Sequence, residues 1–319
     1  EIIMCGIIGV IGKGAVAPLL LDGLKRLEYR GYDSAGIATL TKNGIERRRS
    51  EGKLINLEKR LKEDPLDGSI GLGHTRWATH GVPNEKNAHP HATDKVVIVH
   101  NGIIENFQEL KDEVIAEGAV LVSETDTEVV AHLITAYLNA GDNPRDASAK
   151  ALKRLRGAFS LGILFNGEID LMIAARRGTP LAIGVGDGEM FLGSDALALA
   201  QLTKKIIYLE DGDWAEINSA GAVLYDEDDR KIDRPVCLTE LSGEAVGKGG
   251  YRHFMLKEIY EQPQAIGDTL HSYINPTTQE VSLGGVNIDF SRVRKLTIIA
   301  CGTSYYAALV AKYWIESLV

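Results

Sequence analysis

Three cysteines occur in 319 residues, Cys5, Cys237 and Cys301, and the first stands where a nucleophile is easiest to build. Cys5 lies between Met4 and Gly6 at the head of an apolar run. An isolated cysteine can serve simply as a small buried hydrophobe. It can also act as a nucleophile, because a chain that starts at Cys5 carries a thiol and an α-amine on one residue. An α-amine with a pKa of about 8 can take up the thiol proton near neutral pH. Nucleophile and base would then occupy the same residue.

Other segments could bind what such a nucleophile attacks. His74-Thr75-Arg76-Trp77-Ala78-Thr79-His80-Gly81 joins a strand end to a polar loop. The Arg76 guanidinium can grip a carboxylate through two parallel hydrogen bonds, and Trp77 can cover a pocket. An ordinary ion pair and a core ring are the plain alternatives. Asn101-Gly102, after an apolar strand, offers a side-chain amide and a backbone N–H that can approach a ligand closely, the ingredients of an oxyanion hole. The same dipeptide is also a turn signal. Asp126 heads a predicted helix, where a carboxylate can bind an ammonium or simply complement the helix dipole.

Histidines at 74, 80, 89, 91 and 100 include the fragment His89-Pro90-His91. None is paired at i, i+4 on a helix and no cysteine joins them, so they read as structural or substrate-orienting, and no metal is expected. Near the other end, Cys301-Gly302-Thr303-Ser304 stands between a predicted strand and helix. It has the form of an anion cradle, with the Thr303 and Ser304 hydroxyls beside free N–H groups. Ser304 as an N-cap is the alternative. No cofactor is implied.

The elements that must position these residues follow from periodicity. Ile2–Ile11 is almost continuously apolar, as in a strand buried on both faces. Val16–Tyr29 carries a helical stripe through Val16, Leu20, Leu24 and Leu27. Short strands follow at Gly36–Leu40, Ile70–His74 and Val96–His100, then helices at Asn106–Glu117, Asp126–Ala140 and Ala147–Leu155. The second of these helices begins with a capping-box pattern in Ser123 to Glu128. Seven short strand candidates then run from Ala158 to Tyr225. This order predicts an α+β layered domain. A small-residue stretch, Ser242-Gly243-Glu244 to Gly250, reads as a linker. Beyond it come a helix Phe254–Glu261 ending at Pro263, a strand Lys295–Ala300 and a helix Tyr305–Leu318. One strand and a few helices cannot bury a parallel sheet, so this second domain reads as truncated.

Composition narrows the function classes. Hydrophobic residues make up 45% and charged residues 25%, ordinary values for a globular chain. A net charge of −9 works against a broad nucleic-acid footprint. The cluster Arg47-Arg48-Arg49 reads as a solvated hairpin arm. Three widely spaced cysteines argue for a reducing compartment. With no apolar run near the ~18 residues of a membrane span, and no secretory leader read at the start, the expectation is a cytoplasmic protein acting on small molecules.

Taken together, Met4-Cys5-Gly6-Ile7, Arg30-Gly31-Tyr32-Asp33-Ser34-Ala35-Gly36, His74 to Gly81, His100-Asn101-Gly102 and Ser123 to Glu128 resemble the glutaminase domain of the glutamine–fructose-6-phosphate aminotransferase family. The resemblance continues through Tyr251 to Pro263 and into Cys301 to Ser304, so it spans essentially the whole chain. It implies an N-terminal-nucleophile hydrolase fold, a four-layer αββα sandwich, over residues 5–241. A linker at 242–250 and the first part of a doubly wound α/β sugar-isomerase domain at 251–319 would follow. By the same resemblance Cys5 attacks the glutamine amide with its own α-amine as base, and Asn101 and Gly102 hold the oxyanion. Arg76 takes the α-carboxylate and Asp126 the α-ammonium. Thr79 and His80 line the pocket, Trp77 gates it, Arg30 lies near the nucleophile, and Thr303 and Ser304 contact a sugar phosphate.

The partners implied are glutamine and, in a complete protein, fructose 6-phosphate; a homodimer is implied too. Glu1-Ile2-Ile3 precede Met4, so hydrolysis is expected only once Glu1 to Met4 are removed. Family residues for isomerisation lie beyond Val319, so no amino sugar is expected from this chain alone. Two competing expectations are an amidophosphoribosyltransferase-like enzyme and a non-catalytic glutamine-binding fragment.

Overall fold

The computed structural model describes residues 5–78, 81–239, 251–274, 281 and 292–318. The chain divides into two compact units, Ile3–Val246 and one built from Gly247–Val319.

The larger unit holds two antiparallel sheets. The first has eight strands in the order Val236–Leu238 (β15), Lys205–Tyr208 (β11), Ala182–Val185 (β9), Met190–Gly193 (β10), Gly6–Ile11 (β1), Ile70–Arg76 (β4), Ser34–Thr41 (β2) and Gly44–Glu51 (β3). The second has seven, in the order Lys231–Ile232 (β14), Gly221–Tyr225 (β13), Trp214–Asn218 (β12), Met172–Arg177 (β8), Gly157–Phe165 (β7), Val96–Ile104 (β6) and His91–Ala92 (β5). Helices Ala17–Leu27 (α1), Leu54–Glu63 (α2) and Ala196–Leu199 (α6) cover the first sheet. Helices Phe107–Ala116 (α3), Asp126–Asn139 (α4) and Pro144–Arg154 (α5) cover the second.

Side-chain alternation explains the layering. In β1, Ile7 and Ile11 point into the core between the sheets, while Ile8 and Val10 point into the core under α1. In β6, Val97 and Val99 face the intersheet core, and Val96 and Ile98 face the core under α4. Successive residues of a strand face opposite sides. With a second sheet on one side and helices on the other, both faces need apolar groups, which accounts for the unbroken runs. Three cores between four layers, α/β/β/α, result.

Several boundaries differ from the sequence expectations. Strand β6 runs on to Ile104, so Asn101-Gly102 lies inside a ladder opposite Ser160 and Phe159 rather than in a turn. The predicted hairpin arm is less solvated than expected. Arg47 donates to the Pro90 carbonyl at 3.3 Å, and Arg49 to the carbonyls of Lys86 at 3.0 Å and Ala88 at 2.8 Å. Loss of water pushes the Arg49 guanidinium down to about 10. These arginines staple a loop to the edge strand.

In the smaller unit the helix starting at Phe254 does not stop at Pro263 but continues to Tyr273 (α7). Leu256, Ile259, Tyr260, Ile266, Leu270 and Tyr273 keep helical spacing through the proline. Losing one N–H bond, at roughly 3 kcal/mol, kinks a helix without forbidding it. Lys295–Ala300 forms no strand, since it has no ladder partner among the described residues. The last helix (α8) spans Gly302–Leu318, so Thr303 and Ser304 occupy its first turn instead of a preceding cradle. No helix among the described residues is long and apolar enough to cross a membrane.

Candidate active site

Sheet register brings Cys5 to Trp77. Gly6 pairs with Thr75 across the β1–β4 ladder, so the residue before Gly6 meets the chain leaving β4. There the Trp77 N–H donates to Cys5 Sγ at 3.1 Å, and Sγ lies 3.5 Å from the Trp77 carbonyl. The Asn101 Nδ2 donates to the Cys5 carbonyl at 3.1 Å. Burial, against lesser help from the Trp77 N–H and the Arg76 charge, pushes the thiol up to about 11. A thiol held there is about one part in ten thousand ionised at pH 7, so it needs a base to attack.

A narrow cleft opens beside it, lined by Cys5, Arg76, Trp77, His89, His100, Gly102, Thr125, Asp126 and Thr127. Its lining includes one cationic side chain, Arg76, and one acidic one, Asp126. Arg76 is 3% exposed; its Nη2 donates to the Gly81 carbonyl at 3.1 Å, and Nη1 lies 3.9 Å from Asp33 Oδ1.

Asp126 is released from capping because its neighbours do that work. Thr125 Oγ1 accepts from the Glu128 N–H at 3.4 Å, and the Glu128 carboxylate accepts from the backbone N–H groups of Val122 at 2.9 Å and Ser123 at 2.6 Å. The Asp126 carboxylate instead accepts the Ile104 N–H at 2.9 Å and stands 3.8 Å from His100 Nδ1.

Gly102 belongs to this cavity for a steric reason. Its φ is +119°, and a Cβ there would sit 2.0 Å from the Ala158 carbonyl oxygen. Only glycine lets β6 pass that point without a clash.

The cavity therefore brings together Cys5, Arg76, Trp77, Gly102 and Asp126. Asn101 touches the Cys5 backbone from beside it. Trp77 is 41% exposed at the rim. Thr79 and His80 lie outside the described residues, and of Arg30 only the backbone is described, in the turn Glu28–Arg30 after α1. Thr303 and Ser304 are exposed in the smaller unit.

Sequence reasoning passed over Thr125 and Thr127 as lining groups, and left His89 and His100 between structural and substrate-orienting roles. Thr127 Oγ1 joins two of the rings, 2.8 Å from His89 Nε2 and 3.0 Å from His100 Nδ1. Their signal was proximity to Asp126 and Asn101. It also passed over Asp33, whose carboxylate accepts the Ala78 N–H at 2.5 Å and whose own N–H donates to the Arg76 carbonyl at 2.7 Å. Asp33 pins the end of β4. Among the described residues, no group of three or more His, Cys, Asp or Glu could hold a metal ion.

The chain is similar to known proteins. Residues 74–201 match the glutamine amidotransferase domain family. The chain is 58% identical over 315 residues to the glutamine–fructose-6-phosphate aminotransferase [isomerizing] of Brucella suis, covering 99% of this chain and 52% of that one. It is 56% identical over 313 residues to the enzyme of the same name from Zymomonas mobilis, covering 98% and 52%. The chain thus spans about half the length of the curated relatives it matches. Among solved structures, the glutamine phosphoribosylpyrophosphate amidotransferase of B. subtilis is similar with a TM-score of 0.60 at 26% identity, covering 70% of this chain and 49% of that one.

Proposed function

We infer that this chain, which belongs to the glutamine amidotransferases, hydrolyses glutamine to glutamate and ammonia at Cys5. The observation that carries this reading is one pocket whose lining brings together the Cys5 thiol, the buried Arg76 cation, the buried Asp126 anion and the Gly102 backbone. Glutamine presents a complement to each: an amide carbon, an α-carboxylate, an α-ammonium and a carbonyl oxygen that becomes an oxyanion.

The α-amine of Cys5, once free, takes the thiol proton. Sulfur attacks the amide carbon and the carbonyl π pair moves to oxygen, where the Gly102 N–H and the Asn101 Nδ2 group stabilise it. The oxyanion collapses, the ammonium returns its proton to the leaving nitrogen, and ammonia departs from a thioester. Water then adds, the amine accepts its proton, and the C–S bond breaks to give glutamate and the regenerated thiol. The upward displacement of the thiol supports a need for this base. Arg76 grips the α-carboxylate and Asp126 the α-ammonium. Thr79 and His80 line the pocket, Trp77 gates it and Arg30 stands near the nucleophile.

In a longer protein, the ammonia converts fructose 6-phosphate to glucosamine 6-phosphate. Similarity to isomerising enzymes over 99% of the chain supports this. On that reading residues 5–241 form the glutaminase domain and 242–250 a linker. Residues 251–319 begin a doubly wound sugar-phosphate domain, where Thr303 and Ser304 meet the phosphate, and the assembly is a cytoplasmic homodimer. The amidophosphoribosyltransferase alternative has weaker support, at 26% identity against 58%.

The test is glutamate release from glutamine by a chain beginning at Cys5. Release that Cys5→Ala abolishes supports the reading, and no release would leave a glutamine-binding fragment. Normal hydrolysis by a chain still starting at Glu1 would sink the α-amine mechanism.

A further inference from the structure

His74 lies in β4, fully buried, two residues before the cavity-lining Arg76, and the hydrolysis described above gives it no step. Its ring is stacked on His89 with centroids 4.3 Å apart. Its Nε2 lies 2.9 Å from the His100 carbonyl oxygen and 3.0 Å from Asn101 Oδ1. Both of those atoms only accept, so Nε2 must carry the hydrogen and Nδ1 must be bare. Nδ1 has no hydrogen-bond partner, although buried polar atoms are nearly always satisfied. The ring is held for what Nε2 does.

The Asn101 carboxamide is fixed from its two ends. The Cys5 carbonyl accepts from it at 3.1 Å, which requires the NH₂ group on that side. The His74 N–H requires the oxygen on the other. Burial keeps the imidazole neutral, displaced to about 3, so this donor does not change across ordinary pH.

We propose that His74 is a positioning residue that locks the Asn101 amide with its NH₂ toward the nucleophile. This rests on the glutamine reading of the site. Without the Nε2 donor the amide can turn over, presenting Oδ1 to an oxyanion instead of a donor. A dipole fixed before reaction is what makes such a donor effective.

Two substitutions separate positioning from packing. His74→Gln places an amide N–H near the Nε2 position, and His74→Asn places its amide near Nδ1. Expected for His74→Asn is a kcat lower by roughly 10- to 100-fold with the KM for glutamine within about threefold, whereas His74→Gln stays within a few-fold of wild type. The double variant His74→Asn/Asn101→Ala should be no slower than Asn101→Ala alone, because both remove one function.

¹⁵N NMR of the histidine-labelled wild-type protein reads the tautomer without any variant, and a protonated Nε2 with a bare Nδ1 is expected. A protonated Nδ1, equal kcat in the two single variants, or additive losses in the double variant would overturn the proposal. A wild-type chain beginning at Cys5 that released no glutamate would overturn the glutamine reading and this proposal with it. Wild-type release with equal kcat in the two variants overturns this proposal alone.

Discussion

Replacing Gly102 by alanine separates backbone geometry from side-chain chemistry at the site. The added Cβ would lie 2.0 Å from the Ala158 carbonyl oxygen and 2.9 Å from its carbon. An ordinary carbon–oxygen contact is a little over 3 Å, so β6 and β7 must part by about 1 Å where Gly102 faces Phe159. The φ of +119° adds strain of order 1–3 kcal/mol for any side chain. With the steric term, a loss of about 3–5 kcal/mol is expected, or roughly 6–20 °C in Tm for a unit of this size. Asn101 moves with its neighbour, and a misplacement of about 1 Å is worth roughly 100-fold in rate.

Gly118 and Gly141 are the controls. Both have positive φ, +96° and +100°, with nothing within 4 Å of an added Cβ. Their alanine variants carry strain alone and should keep kcat. The assay is urea denaturation beside glutamate release under saturating glutamine. If Gly102→Ala were no less stable than Gly118→Ala, or kept kcat within a few-fold, the argument from the β6–β7 ladder would be refuted.

Asp126→Asn should raise the KM for glutamine by about 10-fold or more with a smaller change in kcat, since it weakens a ground-state contact while the amide oxygen still accepts the Ile104 N–H. A fall confined to kcat would place Asp126 in the chemistry instead. Acid should unfold the protein steeply. His74, His89 and His91 are buried and kept neutral in the fold, with pKa values well below 6.5, whereas unfolded they charge near 6.5. Stability is therefore full above about 6.5 and falls with pH at up to about 4 kcal/mol per unit for three protons. His91→Gln, whose amide can keep the bond to Thr125, should make that slope about a third shallower in denaturation curves between pH 6.5 and 4. At the alkaline end the sign reverses. Cys5 is raised from 9.0 to about 11, so its contribution is present below about 9 and lost as pH climbs through 11. Cys5→Ala should lose less stability than wild type between pH 9 and 11.

How much of this could be read in the sequence depends on whether the cause is local. The apolar runs of β1 and β6 and the stripe of α1 announced themselves, because burial on both faces or on one face leaves a short-range pattern. The capping box before Asp126 was visible for the same reason. Pro263 misled, because one missing N–H kinks a helix without ending it. Arg47 and Arg49 misled as well, since the carbonyls they grip arrive from a loop some forty residues away.

At the site, Cys5, Arg76, Gly102 and Asp126 are chemically conspicuous residues. Their assembly is the work of register: Gly6 opposite Thr75 in one sheet and Asn101 opposite Ser160 in the other. A slip of one residue would turn each side chain to the opposite face. Asp33 and His74 sit inside the motifs that carry the resemblance, but they act only through such partners, so their own neighbourhood does not say what they hold.

The place of β1 also governs how the protein can be made. The strand that begins the described chain is internal to its sheet, with β4 on one side and β10 on the other. A ribosome adding roughly 5–20 residues per second needs on the order of 10–40 s to pass Gly193. Throughout that interval one edge of an apolar strand waits without its neighbour, the kind of edge that invites pairing with other chains. A fragment ending before Met190 would keep that edge open permanently, so it should aggregate even though it contains every residue assigned here to glutamine chemistry.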